Sequence, residues 1–162
     1  MLGRVEPVQL KSDLFLPWLI QGVMLASLVV YIIVCITLGD QIQQPLPEAQ
    51  RILIRTILYV VAIVTFPMTN LIRYIQLRLN QTMPFSGIDP EVEAKKRYLV
   101  TVIVSMSLIE SVGIFGLVMF VLGDNFNSLY IFTGLSALGL YLYRPKVHEY
   151  AGIVKALIAQ QK

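Results

Sequence analysis

The chain has 162 residues, of which 56% are apolar and 14% charged, and its mean hydropathy is +0.70. A soluble domain carries roughly a quarter charged residues, so this composition excludes an ordinary soluble fold and points to an all-α integral membrane protein. Its 13 Lys and Arg against 10 Asp and Glu leave a net charge of +3, but the basic residues flank apolar stretches, which assigns them to orientation in a bilayer rather than to nucleic acid.

Four apolar stretches alternate with short polar ones. The first runs from Leu14 to Leu38 after Arg4 and Lys11. It is longer than the ~7–15 residues of a signal-peptide core, and Thr37-Leu38-Gly39-Asp40-Gln41 offers no small-x-small cleavage site, so a retained first membrane helix is expected. Pro17 falls in its first turn, where the missing N–H is harmless, and Trp18 is placed at headgroup level. Cys35, the only cysteine, lies inside this stretch, which leaves no intramolecular disulfide and no Cys-x-x-Cys site.

Gln41 to Glu48, with Pro45 and Pro47, reads as the first loop. The second helix is expected over Ile52–Ile75 and on to Leu79, with Pro67 removing the hydrogen bond to the Ile63 carbonyl and predicting a kink. Thr65, Thr69 and Asn70 surround that proline and are expected to satisfy the freed backbone. Asn80 to Ile88 forms a second loop. Asp89-Pro90-Glu91 then starts a helix, with an N-cap, proline at N1 and an acid in the first turn. Glu91–Lys95 and Glu93–Arg97 are both i,i+4 pairs. Two exposed turns therefore precede the apolar run Tyr98–Leu122, and helices two and three should project as a hairpin from one face.

Gly123 to Ser128 reads as a tight turn, and the fourth helix, Leu129–Tyr143, is short for a bilayer, with Tyr141, Tyr143 and Arg144 anchoring one end. Pro145 ends it. The tail from Val147 to Lys162 places Ala151, Ile153, Val154, Leu157 and Ile158 largely on one face, away from Lys155 and Gln160. An amphipathic interfacial helix is expected there, or a helix docking on a partner subunit.

Eleven Lys and Arg (4, 11, 73, 78, 95, 96, 97, 144, 146, 155 and 162) lie on the face shared by both termini and the second loop; Arg51 and Arg55 lie on the other. The positive-inside rule puts both termini and the second loop in the cytoplasm, with the bacterial inner membrane as the expected location. The sequon Asn80-Gln81-Thr82 then faces away from glycosylation. Lys95-Lys96-Arg97 is expected to meet lipid headgroups.

Glu110 is the one ionisable residue deep inside a predicted span. An ionised side chain there costs at least about 2.5–3.5 kcal/mol. No Lys, Arg or His shares its depth, so a protonated, hydrogen-bonded carboxyl is expected, or one that binds H⁺ or Na⁺ reversibly. Ser107, Glu110 and Gly113 share a face by i,i+3 spacing. Ala26, Ser27, Ala62, Ser136 and Ala137 fall at similar depth, and Tyr31 and Tyr59 are candidate hydrogen-bond partners. Gly113 and Gly116 permit close helix approach, and Gly134, Ser136, Ala137 and Gly139 form a second small-residue face. Three readings remain open: a packing hydrogen bond, ion or proton handling, and a ligand contact.

The run Ser107-Leu-Ile-Glu110-Ser-Val-Gly113-Ile-Phe115-Gly116-Leu117-Val118 resembles the carboxylate-bearing helix of the proteolipid (c) subunits of rotary ATPases, where a glutamate is followed five or six residues later by an aromatic and Gly-Leu. The resemblance implies that Glu110 binds a transported H⁺ or Na⁺ within an oligomeric ring. The Ile52–Ile75 stretch, where that family's partner helix is glycine-rich, contains no glycine.

The sequence contains no phosphate loop, zinc-protease motif or Ser/His/Asp arrangement, and its one histidine, His148, reads as a surface residue. No enzyme activity, metal or cofactor is expected. The expected protein is a single domain, residues 1–162, folded as a four-transmembrane-helix bundle. It forms a homo-oligomer or joins a larger membrane complex and handles H⁺ or Na⁺ through Glu110. The alternative is a non-catalytic assembly or accessory subunit.

Overall fold

The computed structural model describes residues 13–84 and 89–160. Among them are five helices and no strand: α1 (Phe15–Ile42), α2 (Glu48–Thr82), α3 (Pro90–Val121), α4 (Phe126–Leu142) and α5 (Val147–Gln160). The first three are long and apolar enough to cross a membrane, and α4 is a shorter apolar helix. At 17 residues, α4 is about 25 Å long.

α3 is the axis of the molecule. In its most apolar stretch 44% of residues are buried, against 17% for α1 and 11% for α2. α1, α2, α4 and α5 all pack on α3, and the first two meet largely through it. α1 contributes a narrow seam in which Leu14, Pro17, Gln21, Leu28 and Cys35 are buried, with Met24 and Tyr31 packed against the core. That alternating three- and four-residue spacing lets one long helix lie along another.

Small residues bring α3 and α4 together. A Cβ on Gly116 would stand 3.1 Å from the Leu129 carbonyl oxygen, and one on Gly139 would stand 2.6 Å from Ile109 Cγ2. A Cβ on Gly113 would collide with the Leu28 side chain. Ser136 Oγ donates to the Ile109 carbonyl at 2.9 Å, and Ala137 packs against the same core. These small-residue faces are thus mostly used inside the chain. Gly134 is the exception, with nothing within 4 Å of its would-be Cβ.

Asp89 caps α3 as the sequence predicts, its Oδ1 accepting from Glu91 N at 2.9 Å and Val92 N at 3.4 Å. The Glu93–Arg97 pair forms at 2.8 Å. The expected Glu91–Lys95 pair does not, because Lys95 Nζ reaches Asp13 Oδ1 at 3.1 Å, where the start of α1 lies alongside. Arg97 is a clamp and not an open headgroup ligand. Its guanidinium donates to the carbonyls of Asn80, Met83 and Pro84 and so ties α3 to the end of α2.

The tail also differs from its expected interfacial placement. α5 packs on α2 and α3, with Tyr150, Ile153, Val154 and Leu157 buried together with Ala94 and Tyr98. The same apolar face that predicted membrane contact finds the chain's own hairpin close enough to cover it. Tyr150 donates to Asp13 Oδ2 at 3.0 Å, and burial followed by that carboxylate hold its phenol pKa above the usual range. Lys155 and Gln160 are exposed; residues 161 and 162 lie outside the described set.

α2 is helical through Pro67. The expected side-chain repair of the Ile63 carbonyl is not made. Thr65 bonds back to Val61 at 2.8 Å, and the buried Thr69 hydroxyl has no partner. A helical threonine reaches its own i−4 carbonyl, which here is not the one that the proline frees. At the opposite end from α5, Gln44 N and Leu46 N bond to the carbonyls of Val121 and Leu122 at 2.7 and 3.1 Å. Gly123 turns with φ +87°, and a Cβ there would lie 2.6 Å from Pro45 Cα.

Gly123→Ala should therefore lower the unfolding free energy by about 1–3 kcal/mol, the cost of a left-handed residue with a side chain. Gly22→Ala, with open space around its Cβ, should leave stability equal or higher. Thermal unfolding of both variants in detergent measures the difference.

Candidate functional site

Two charged clusters mark the ends of the apolar bundle. At one end Arg55 Nη1 meets Asp124 Oδ1 at 3.3 Å, Ser128 donates to Asp124 Oδ2 at 2.6 Å, and Arg51 donates to the Gly123 carbonyl at 2.8 Å. At the other end the buried Arg73 meets Glu149 Oε2 at 2.6 Å and donates to the carbonyls of Tyr143 and Arg144 at 2.9 and 3.4 Å. The Tyr98 hydroxyl lies 3.2 Å from Glu149 Oε2 and accepts from Lys146 N at 2.7 Å. Arg55 and Arg73 are 18 residues apart on α2, which is about 27 Å along the helix. That is close to the ~30 Å of a hydrocarbon core.

Glu110 lies between these clusters. It is 12 residues beyond Tyr98 and 12 before Leu122, about 18 Å from each along α3. Among the described residues its hydrogen bonds come from α1 alone. Ser27 Oγ is 2.5 Å from Glu110 Oε1, and Tyr31 donates its hydroxyl to the same oxygen at 3.1 Å. Ser27 Oγ also lies 2.7 Å from the Met24 carbonyl oxygen. The single hydrogen of the Ser27 hydroxyl thus has two oxygens in reach, Glu110 Oε1 and the Met24 carbonyl oxygen.

The residues predicted around Glu110 divide. Gly113 and Gly116 line the α3 face that holds Leu28 and α4. Ser107 is exposed and makes no hydrogen bond to Glu110. Tyr59 stacks on Phe132, with ring centroids 4.6 Å apart, because α2 approaches α3 on the side away from α1. Lys96 is exposed, while Lys95 is paired with Asp13 and Arg97 with Glu93.

Sequence reasoning missed the Arg73–Glu149–Tyr98 cluster. Arg73 reads as a boundary residue and Glu149 as the surface neighbour of His148. The one available signal was an arginine inside an apolar run whose helix offers no acid within reach, since its Glu48 lies at the far end.

No protein-family model, curated protein or solved structure matches the chain.

The buried ion pair has a measurable signature. Arg73→Ala should cost about 3–5 kcal/mol by leaving Glu149 without its cation, whereas replacing both partners with apolar residues of similar size should recover much of that loss. Thermal denaturation of the single and double variants in one detergent tests this.

Proposed function

We propose that this is a membrane protein in which α1 to α4 span the bilayer and Glu110 takes up and releases a proton near the midplane. The place of Glu110 carries the reading: its carboxyl group lies between the two charged clusters, is bonded by Ser27 and Tyr31 of α1, and has no ion pair among the described residues. An ionised carboxylate there has no cation beside it, so exchange of a proton is the chemistry that this setting favours. An acid in this position is a functional candidate by default. The resemblance of residues 107–118 to the carboxylate helix of proteolipid subunits supports the same role.

In this reading both termini and the head made by α5 and the α2–α3 hairpin are cytoplasmic, following the Lys and Arg distribution, and the Arg51/Arg55 end faces outward. The protein acts as an oligomer. Gly22 and Gly134 leave bare helix on the outside, with nothing within 4 Å of a would-be Cβ, where another copy can approach closely. Gly22→Ile should therefore dissociate the oligomer in light scattering while the chain keeps its helical content; an unchanged mass would remove the oligomer from this proposal.

The main test is labelling with a hydrophobic carbodiimide, which needs a protonated carboxyl group in an apolar place. Glu110 should be modified at low pH and lose reactivity as pH rises, as peptide mapping of treated membranes would show. Glu110→Gln should abolish labelling and proton flux in proteoliposomes while retaining the thermal stability of the parent, because its amide oxygen still accepts from Ser27 and Tyr31. Unchanged flux in Glu110→Gln would refute the proposal.

A further inference from the structure

The Arg73–Glu149 pair forms part of the wall of a cleft that Glu110 does not line. Its volume is about 300 Å³, and its walls come from α2 on one side and from the α4–α5 junction on the other. The floor is polar. Arg73 lies there with its side chain 5% exposed, its two terminal nitrogens bonded and its Nε buried without a partner. Glu149 beside it is already occupied by Arg73 and Tyr98. Lys146 lines the same cleft; its backbone is fixed on Tyr98, while its ammonium group makes no ion pair among the described residues. Asn70 adds an amide. The formal charge of the floor, two cations against one carboxylate, is positive.

The mouth has a different character. Tyr74 and Leu142 flank it, 57% and 52% exposed. Arg78 sits over the Tyr74 ring at 5.6 Å and donates to its hydroxyl at 3.3 Å, adding a further cation at the rim. A cationic floor opening between apolar side chains, at the charged boundary of the apolar bundle, matches one ligand chemistry: a phosphate diester carrying acyl chains. A free phosphate ion would use the floor and leave the apolar mouth without a role.

We propose that this cleft binds the phosphate of an anionic phospholipid at the cytoplasmic interface, with Lys146 as the principal cation, Asn70 donating from α2 and the lipid's chains running along Leu142. The assignment rests on the membrane-spanning part of the function proposed above and is independent of Glu110. The site is distinct from Lys95-Lys96-Arg97, where Lys95 is paired with Asp13 and Arg97 with Glu93.

The test begins with alkaline carbonate extraction of membranes from cells expressing the full chain. Release of the protein by carbonate would overturn the spanning reading and this site with it. For carbonate-resistant protein, purified in detergent, native mass spectrometry with added phosphatidylglycerol, phosphatidylcholine or inorganic phosphate reads the site directly. The expected result is retention of phosphatidylglycerol at least threefold above phosphatidylcholine. Lys146→Gln should abolish that preference and Lys96→Gln should preserve it; if Lys146→Gln does not fold, Asn70→Leu should reduce the preference in its place. An equal preference in folded Lys146→Gln and the parent would overturn the site alone. Displacement of phosphatidylglycerol by equimolar inorganic phosphate would overturn the lipid assignment.

Discussion

One buried guanidinium joins the lower half of the molecule. Arg73 extends from α2 to the last carbonyls of the α4 terminus and to a carboxylate on α5, while Tyr98 of α3 closes the same cluster. A helix end that stops inside a protein has carbonyls without intrahelical partners, and α4 stops there after only 17 residues. Arg73 satisfies two of the carbonyl oxygens that follow. It holds the α4–α5 junction, where Pro145 stops the helix, against α2. The guanidinium in turn needs Glu149, since a buried cation without an anion is strongly unfavourable.

α1 stands outside this anchoring. Along its length it meets the rest of the chain through Asp13 at its start, Gln21 donating to the Leu140 carbonyl at 3.3 Å, and the Ser27–Glu110–Tyr31 group. Two of these lie toward the end where α5 packs. In the middle of the bundle the bonds from Ser27 and Tyr31 to Glu110 are therefore what seat α1 against α3. The proposed proton site and the docking of α1 are one set of hydrogen bonds.

Much of the fold was legible as pattern. Helical spans follow from runs of apolar residues, and the Asp89-Pro90 start of α3 follows from capping chemistry that needs only local sequence. Glu110 stood out because an ionisable residue deep in an apolar run is costly to keep there. Its partners were less legible. Ser27 and Tyr31 share its depth with Tyr59, and depth is all that counting along a helix supplies. Which of them faces the carboxyl group depends on the rotation of α1 and α2 about their axes. α2 turns Tyr59 toward Phe132, so the tyrosine on α1 reaches Glu110 and the one on α2 does not.

The amino-acid sequence by itself determined the helices, their order, the position of the lone carboxyl group and the asymmetry of basic residues, because each depends on composition and spacing along one strand of chain. Tertiary structure decided which of several polar residues meet. It turned α5 onto the hairpin, gave Lys95 to Asp13 instead of Glu91, and brought Arg73 to Glu149 across 76 residues. The physical reason is that amphipathicity states only that a face must be covered, and a charge only that it needs a partner. The choice of cover and partner lies in the packing angle and rotation of neighbouring helices, which are set by where glycines such as Gly116 and Gly139 allow two backbones to close.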